Sequence, residues 1–221
     1  MNRTKTALLA GATGLVGHQC LHLLLADNRY EKVISIGRRP LPIEHPKLTQ
    51  KIVDFDLLDS FNADLKADDV FCCLGTTIKK AGNQANFFKV DFTYVTKLAA
   101  VTSANGASQF LVVSAMGADA NSGIFYNKVK GQMQDALQQI PFKCIHIFQP
   151  SLLLGDRKES RPGEKAAQLV MPALSFLMVG PLRKFRAIED VTVAKAMLHA
   201  AHQDKPGVHI YQSDKVEELG N

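Results

Sequence analysis

The sequence predicts an α/β fold, a doubly wound and mostly parallel sheet forming a single domain, and three observations predict it. Short apolar runs rich in Val, Ile, Leu and Phe recur along the 221-residue chain, as strands buried on both faces require. Helix-like stretches alternate with them. A glycine-rich turn joins the first apolar run to the first helical one, the arrangement of a phosphate-binding loop.

In chain order, strands are expected near 4–10 (TKTALLA), 32–37 (KVISIG), 50–55 (QKIVDF), 69–74 (DVFCCL), 109–114 (QFLVVS), 143–149 (KCIHIFQ) and 207–211 (GVHIY). Helices are expected near 15–27, 84–104, 124–139, 164–178 and 190–202. Between the second and third strands, RRPLPIEHPKLT carries three prolines and is poor helix material, so a loop or single turn should run there. No repeat, low-complexity tract or linker divides the chain. Residues 1–221 therefore read as one domain, with 150–190 as a small loop-and-helix region on the substrate side.

Hydrophobic content of 46% and charged content of 21% are ordinary for a soluble globular protein. Cys20, Cys72, Cys73 and Cys144 include no Cys-x-x-Cys, and the seven His are scattered, so no metal site is expected. Cys72–Cys73 reads as a packed pair of reduced thiols, which implies a reducing, cytoplasmic setting. The N-terminal apolar run turns into glycines too soon for a secretory signal. The stretch AAQLVMPALSFLMVG, 166–180, is too short to span a bilayer and contains Pro172, so no stable membrane insertion is expected. Net charge is +5, and the pI is near 9.0. Basic residues come in small clusters (Arg38–Arg39, Lys79–Lys80, Arg157–Lys158, Arg183–Lys184) without interleaved aromatics. That pattern suits a small polyanion and not a nucleic-acid backbone.

ALLAGATGLVG places Gly11, Gly14 and Gly17 between strand and helix. Glycine reverses the chain, then admits a pyrophosphate close to the backbone, then lets helix pack on strand. With Thr13, Leu15 and Val16 these residues form the expected cofactor loop, whose exposed N–H groups and helix dipole attract an anion. Beyond the second strand, where an NAD site would carry Asp or Glu for the ribose 2′-hydroxyl, stand Arg38 and Arg39, which suit a 2′-phosphate and so NADP(H). Asp56 and Leu57, after the third strand, are expected beside the adenine. Leu74, Gly75 and Thr76, after the fourth, should also touch the cofactor, since ligands gather outside the carboxyl ends of parallel strands.

Two Tyr-x-x-x-Lys pairs occur, YNKVK at 126–130 and YQSDK at 211–215. Tyr211 ends a strand, and QSDK is turn material, so that pair reads as a surface Tyr and a solvated Lys. Around Tyr126, residues Phe125, Val129, Met133 and Leu137 mark the core stripe of a helix. Tyr126 and Lys130 form the next row, side by side. Ser122 can cap this helix, and VVSAMG delivers Ser114 to the glycine-loop edge of the sheet. Tyr126 would then exchange a proton with a carbonyl being reduced. Lys130 would favour the phenolate and hold a ribose hydroxyl, while Ser114 would hydrogen-bond the substrate oxygen.

These motifs resemble the atypical short-chain dehydrogenase/reductases, specifically the group similar to the Tat-interacting oxidoreductase and its small bacterial relatives. GATGLVG is similar to that group's G-x-x-G-x-x-G loop, SAMGA to its serine strand end and YNKVKG to its Tyr/Lys helix. QPSLLLGDRKESRPGE, 149–164, resembles the segment leaving the sixth strand, and AIEDVTVAKAML the last helix. The resemblance implies a Rossmann NAD(P)-binding fold, with Pro150, Ser151 and Leu152 bordering the nicotinamide. It also suggests a homodimer paired through the 84–104 and 124–139 helices. Gln149 departs from the group, many of whose members carry Arg there. Sugar-nucleotide epimerases, also relatives, have a larger C-terminal substrate region than this length accommodates.

In the charged loop after the sixth strand, Arg157 and Arg161 either receive an anionic or polar substrate or pair with neighbouring carboxylates in solvent. Two functions follow. One is an NADP(H)-dependent oxidoreductase acting on a small carbonyl or enone. The other is an NADP(H)-sensing protein that signals to a regulatory partner. The Ser114–Tyr126–Lys130 set favours the first, because a sensor has no need of a proton donor.

Overall fold

Seven strands form one parallel sheet in the computed structural model, which describes residues 4–155 and 180–221. β1 (Lys5–Ala10) leads through α1 (Leu15–Ala26) to β2 (Tyr30–Gly37), and an open loop leads on to β3 (Leu48–Ile52). The proline-rich crossover thus has no helix, as its composition demands. A 3-10 turn (Phe55–Asp64) precedes β4 (Asp69–Cys72). Then come α2 (Ile78–Ala81), α3 (Gln84–Phe88), α4 (Tyr94–Ala104), β5 (Gln109–Val113), α5 (Phe125–Leu137) and β6 (Cys144–Gln149). A two-stranded ladder of β7 (Leu153–Leu154) and β8 (Ile188–Glu189) follows, with a 3-10 turn at Gly180–Phe185. The chain closes with α6 (Asp190–Gln203), β9 (Gly207–Gln212) and α7 (Ser213–Gly220).

The order is β3-β2-β1-β4-β5-β6-β9. Strand order reverses between β1 and β4, so a crevice opens at their carboxyl ends. Period-two alternation splits the core. Ala7, Leu9 and Phe71 pack toward α1 and α6, while Leu8, Ala10, Val70 and Cys72 pack toward α4 and α5. All seven expected strands are present, as are four of the five expected helices; the fifth, 164–178, lies outside the described residues, as do Arg157 and Arg161.

Three readings are corrected. The 84–104 segment is not uniform α-helix: a π-turn at Lys89–Thr93 separates α3 from α4 and inserts one extra residue, which rotates the face presented by Asp91. Cys72 and Cys73 do not pack on each other, because adjacent strand residues face opposite ways; Cys73 instead meets Cys20 of α1, sulfur to sulfur at 4.0 Å. Both remain thiols, and burial pushes Cys72 up to about 12. Tyr211 is half-buried, not a surface residue; its ring stacks on Phe148 at 5.0 Å, and its hydroxyl lies 3.0 Å from His146 Nδ1. Lys215 is solvated, as expected, and pairs with Glu218.

Candidate cofactor and proton-transfer site

Gly11 turns the chain with φ +89°, a conformation other residues adopt only with strain. A Cβ there would sit 2.5 Å from the Cys73 carbonyl oxygen, and one on Gly17 would sit 2.1 Å from the Gly11 carbonyl oxygen. The ends of β1 and β4 and the start of α1 thus meet at a distance only glycine permits. The Gly14 N–H donates to the Gly11 carbonyl at 3.0 Å. As N-cap, Gly14 offers no side chain, so the first amides of α1 stay open to an anion. Val16 and Gly17 are buried behind the turn, and Leu15 is half-buried; none of the three lines the cavity beside the turn.

A cavity of about 450 Å³ opens beside this turn. Of the sequence-predicted residues, Gly11, Thr13, Gly14, Arg38, Arg39, Leu74, Gly75 and Thr76 line it. So do Lys80, from one of the basic clusters noted in the sequence, and Phe55, Lys51, Lys89 and Tyr94, which sequence reasoning missed. No carboxylate belongs to the lining among the described residues. Lys51 pairs with Asp64 and Lys89 with Asp56, each at 2.7 Å, whereas the exposed Arg38 and Arg39 pair with no described residue. On the side expected to face the adenine, the cavity is lined by Phe55 and not by Asp56 or Leu57. Phe55 is buried in the wall, while Asp56 accepts from Lys89 and from the Tyr94 hydroxyl (3.0 Å), and Leu57 is 56% exposed. The Lys89 hydrogen bond holds the Asp56 carboxyl below the usual range.

Helix α5 supplies the other half. Tyr126, Lys130 and Gln134 lie at i, i+4 and i+8, one row beside the apolar stripe. Tyr126 packs its ring 5.6 Å from that of the buried Phe87. The Lys130 ammonium pairs with Asp91 at 2.8 Å, the two side chains being 5% and 1% exposed. Asp91 also accepts the Thr76 N–H at 2.9 Å. Burial alone would lower the Lys130 pKa, but the Asp91 carboxylate, with help from Tyr126, raises it above the ordinary value, so the side chain stays an ammonium. This pair adjoins the cavity at Gly75, where a Cβ would lie 3.4 Å from Asp91 Oδ1 and 3.9 Å from Lys130 Nζ.

Ser114 leaves β5 at the same sheet edge, its N–H donating to the Phe148 carbonyl and its Oγ accepting from Gln134 Nε2 at 2.6 Å. The loop after it crosses α5 at Gly131, where a Cβ would lie 2.1 Å from the Ala120 nitrogen. Gly131 is therefore what lets the serine loop close over the Tyr/Lys helix. Ser122 does not cap α5. Its hydroxyl accepts the Ile124 N–H at 3.1 Å, in a turn just before the helix, and Ile124 holds the N-cap position. Pro150 accepts the Met116 N–H at 3.0 Å, which ties the Pro150–Leu152 segment to the serine loop. Ser151 bonds the Arg186 carbonyl through its hydroxyl and Ser213 through its N–H, and Leu152 accepts from Ile188.

Ser114, Tyr126, Lys130, Asp56, Leu57 and Pro150–Leu152 do not line the cavity. The glycine turn, the uncapped helix start and the cationic wall fit a dinucleotide by their own chemistry.

A family model described as NAD(P)H-binding matches residues 11–140. The chain belongs to this NAD(P)H-binding family, as an atypical short-chain dehydrogenase/reductase of the HTATIP2 type. Protein HTATIP2 of Rattus norvegicus is 37% identical over 201 residues, covering 89% of this chain and 81% of that one. Protein FMP52, mitochondrial, of Candida glabrata is 35% identical over 162 residues, covering 72% and 68%. Among solved structures, MoeE5 in complex with UDP-glucuronic acid and NAD superposes with a TM-score of 0.71 at 17% identity, covering 93% of this chain and 75% of that one. The Bordetella bronchiseptica enzyme WbmH in complex with NAD+ gives 0.70 at 16% identity, covering 99% and 80%. At such identities these two show the fold alone. Among the described residues, no helix is long and apolar enough to cross a membrane.

Proposed function

We propose that this chain is an NADP(H)-dependent oxidoreductase that reduces a small carbonyl or enone, with Tyr126 as the proton donor. One observation carries the reading: the carboxylate-free cationic cavity of the glycine turn runs up to Gly75, directly against the buried Lys130 that shares a helix row with Tyr126. Arg38 and Arg39, free of carboxylate partners among the described residues, would hold a 2′-phosphate and so favour NADP(H) over NAD(H). A bound reduced nicotinamide would supply hydride to the substrate carbon. The Tyr126 O–H bond breaks as its proton moves to the substrate oxygen, and the carbonyl π pair becomes the new O–H bond. Lys130, held as an ammonium by Asp91, would stabilise the phenolate left behind and bind a ribose hydroxyl. Ser114 donates to the same substrate oxygen, and Pro150–Leu152 would border the nicotinamide. Arg157 and Arg161 would receive the substrate's polar end.

Four cysteines held as thiols suit a reducing compartment. The cytosol is one candidate, and the mitochondrial name of the FMP52 relative makes the mitochondrion another.

NADPH oxidation followed against aldehydes, ketones and quinones tests the proposal. Tyr126→Phe should lower kcat by roughly 10²- to 10⁴-fold with cofactor affinity kept. Equal turnover in the two proteins would overturn it and favour the sensing role.

A further inference from the structure

The amide behind Ser114 has no part in the site as the sequence presents it. Gln134 is buried, as is Ser114, and its Nε2 donates to Ser114 Oγ at 2.6 Å. Its own Oε1 accepts from Gln149 Nε2 at 3.0 Å. The three side chains form a directed chain, Gln149 to Gln134 to Ser114, running from β6 through α5 to the end of β5. Each amide has one acceptor oxygen and one donor nitrogen, so the direction at one link fixes the next. A serine oxygen that accepts from Gln134 keeps its own hydrogen for another partner. Gln149 is also the position at which the chain departs from its resembling group.

Resting on the function proposed above, we propose that Gln134, backed by Gln149, is a positioning residue that sets the polarity of the Ser114 hydroxyl, so that it donates to the substrate oxygen and does not accept. The donor matters most when the carbonyl oxygen gains negative charge, because hydrogen bonds to a developing oxyanion strengthen in the transition state. With one lone pair of the buried oxygen taken by Gln134, the hydroxyl has fewer orientations to give up as the reaction proceeds. Gln134 touches no substrate in this scheme. It acts through Ser114.

The test uses full-length protein, NADPH and 9,10-phenanthrenequinone as a carbonyl probe. Ser114→Ala should lower kcat by about 10²- to 10³-fold with KM little changed. Gln134→Glu keeps the shape but can only accept when ionised, so it should capture the Ser114 proton and approach that loss. Gln134→Met, which adds no buried charge, should cost about tenfold in kcat with NADPH affinity kept. In the Ser114→Ala background, Gln134→Met should cost nothing more, since the two act as a unit. A merely structural role predicts additive losses, or a lower melting temperature and weaker NADPH binding with unchanged kcat per folded molecule; either result overturns the inference. Full activity in Gln134→Glu would show the opposite hydrogen-bond polarity and overturn it too. Probe reduction equal in wild type and Tyr126→Phe removes the proposed function and this inference together, whereas Tyr126-dependent turnover untouched by both Gln134 variants removes this inference alone.

Discussion

Two lysine–aspartate pairs, each built on a buried aspartate, stand at opposite edges of one sheet, and their surroundings differ in kind. At the amino edge, the fully buried Asp69 accepts from Lys5 at 3.1 and 3.2 Å, from the Tyr30 hydroxyl at 2.8 Å and from Gln109 at 3.0 Å. Asp204, which follows α6 with φ 47°, adds bonds to Lys5 at 2.9 Å, to Gln109 at 2.8 Å and to Arg29. Burial, with the charge of Asp69, pushes the Tyr30 phenol far above its ordinary range, so it stays protonated and donates to Asp69. At the carboxyl edge, Asp91 meets Lys130 and one backbone N–H, beside the exposed Gly75 that opens on the cavity. The amino-edge network ties four strands and the end of α6 to one another. The carboxyl-edge pair faces a space that a ligand would fill. Burial of charge therefore does not distinguish a fastening from a working site; the openness of its surroundings does.

The largest expected effect tests the closed edge. Asp69→Ala leaves Lys5 and Gln109 with one carboxylate fewer and strips the acceptor from Tyr30. It should cost about 3–5 kcal/mol of stability, read as the shift in urea unfolding. Turnover per folded molecule should not change, and a matching loss of turnover would break the comparison. Next, Arg38→Ala probes the open edge. It should weaken NADPH by about 1.5–3 kcal/mol, one to two decades in Kd, and leave NADH almost unaffected. Equal losses for both cofactors, measured by calorimetry, would refute the 2′-phosphate assignment.

Asp91→Asn should have a smaller effect on stability, about 1–3 kcal/mol, because the amide oxygen can still accept from Thr76. Its signature is a pH dependence. The Lys130 pKa lies above the ordinary 10.5, so the ammonium's contribution is present below that value and is lost as pH rises through the folded value. Without the Asp91 charge, burial dominates and pulls that pKa down. The alkaline fall in kcat should therefore begin at lower pH in the variant. An unmoved profile would separate Asp91 from the chemistry.

The parallel sheet and the glycine turn were legible because they rest on local rules: apolar runs, prolines in the degenerate crossover, and glycines where backbones touch. Tyr126 and Lys130 were legible because i, i+4 spacing survives in any straight helix. Gln134 was one step further along the same row and could have been reached by extending it. Asp91 was not accessible in that way, since 84–104 reads as a single helical period and the π-turn at Lys89–Thr93 breaks that period. A carboxylate set among Phe87, Phe88, Val90 and Phe92 was the only local hint. Phe55, Lys80, Lys89 and Tyr94 come from separate elements, and only tertiary packing brings them to one wall. Asp56 shows what position alone leaves out: it follows the third strand as expected, and packing also gives it Lys89 and Tyr94 as partners.

The smallest effect concerns a buried group that belongs to neither edge's charged cluster. His146, in the middle of β6, is fully buried, and its ring stacks with those of His209 and Tyr211. Burial, then the neighbouring His209, pushes its imidazole from 6.5 down to about 4. Between those values the unfolded chain binds a proton that the folded chain refuses. Stability from this residue is thus complete above 6.5 and declines as pH falls toward 4. Other groups titrate in the same window, so the informative quantity is the difference between wild type and His146→Phe. Urea midpoints at neutral pH and at pH about 5 should converge toward the variant's as acid is added, because Phe has no proton to accept. Turnover, corrected for the folded fraction, should follow the same curve in both proteins. If the variant instead changes the pH profile of kcat, His146 is coupled to the carboxyl-edge site, and the division between a fastened interior and an open working edge would need to be redrawn through β6.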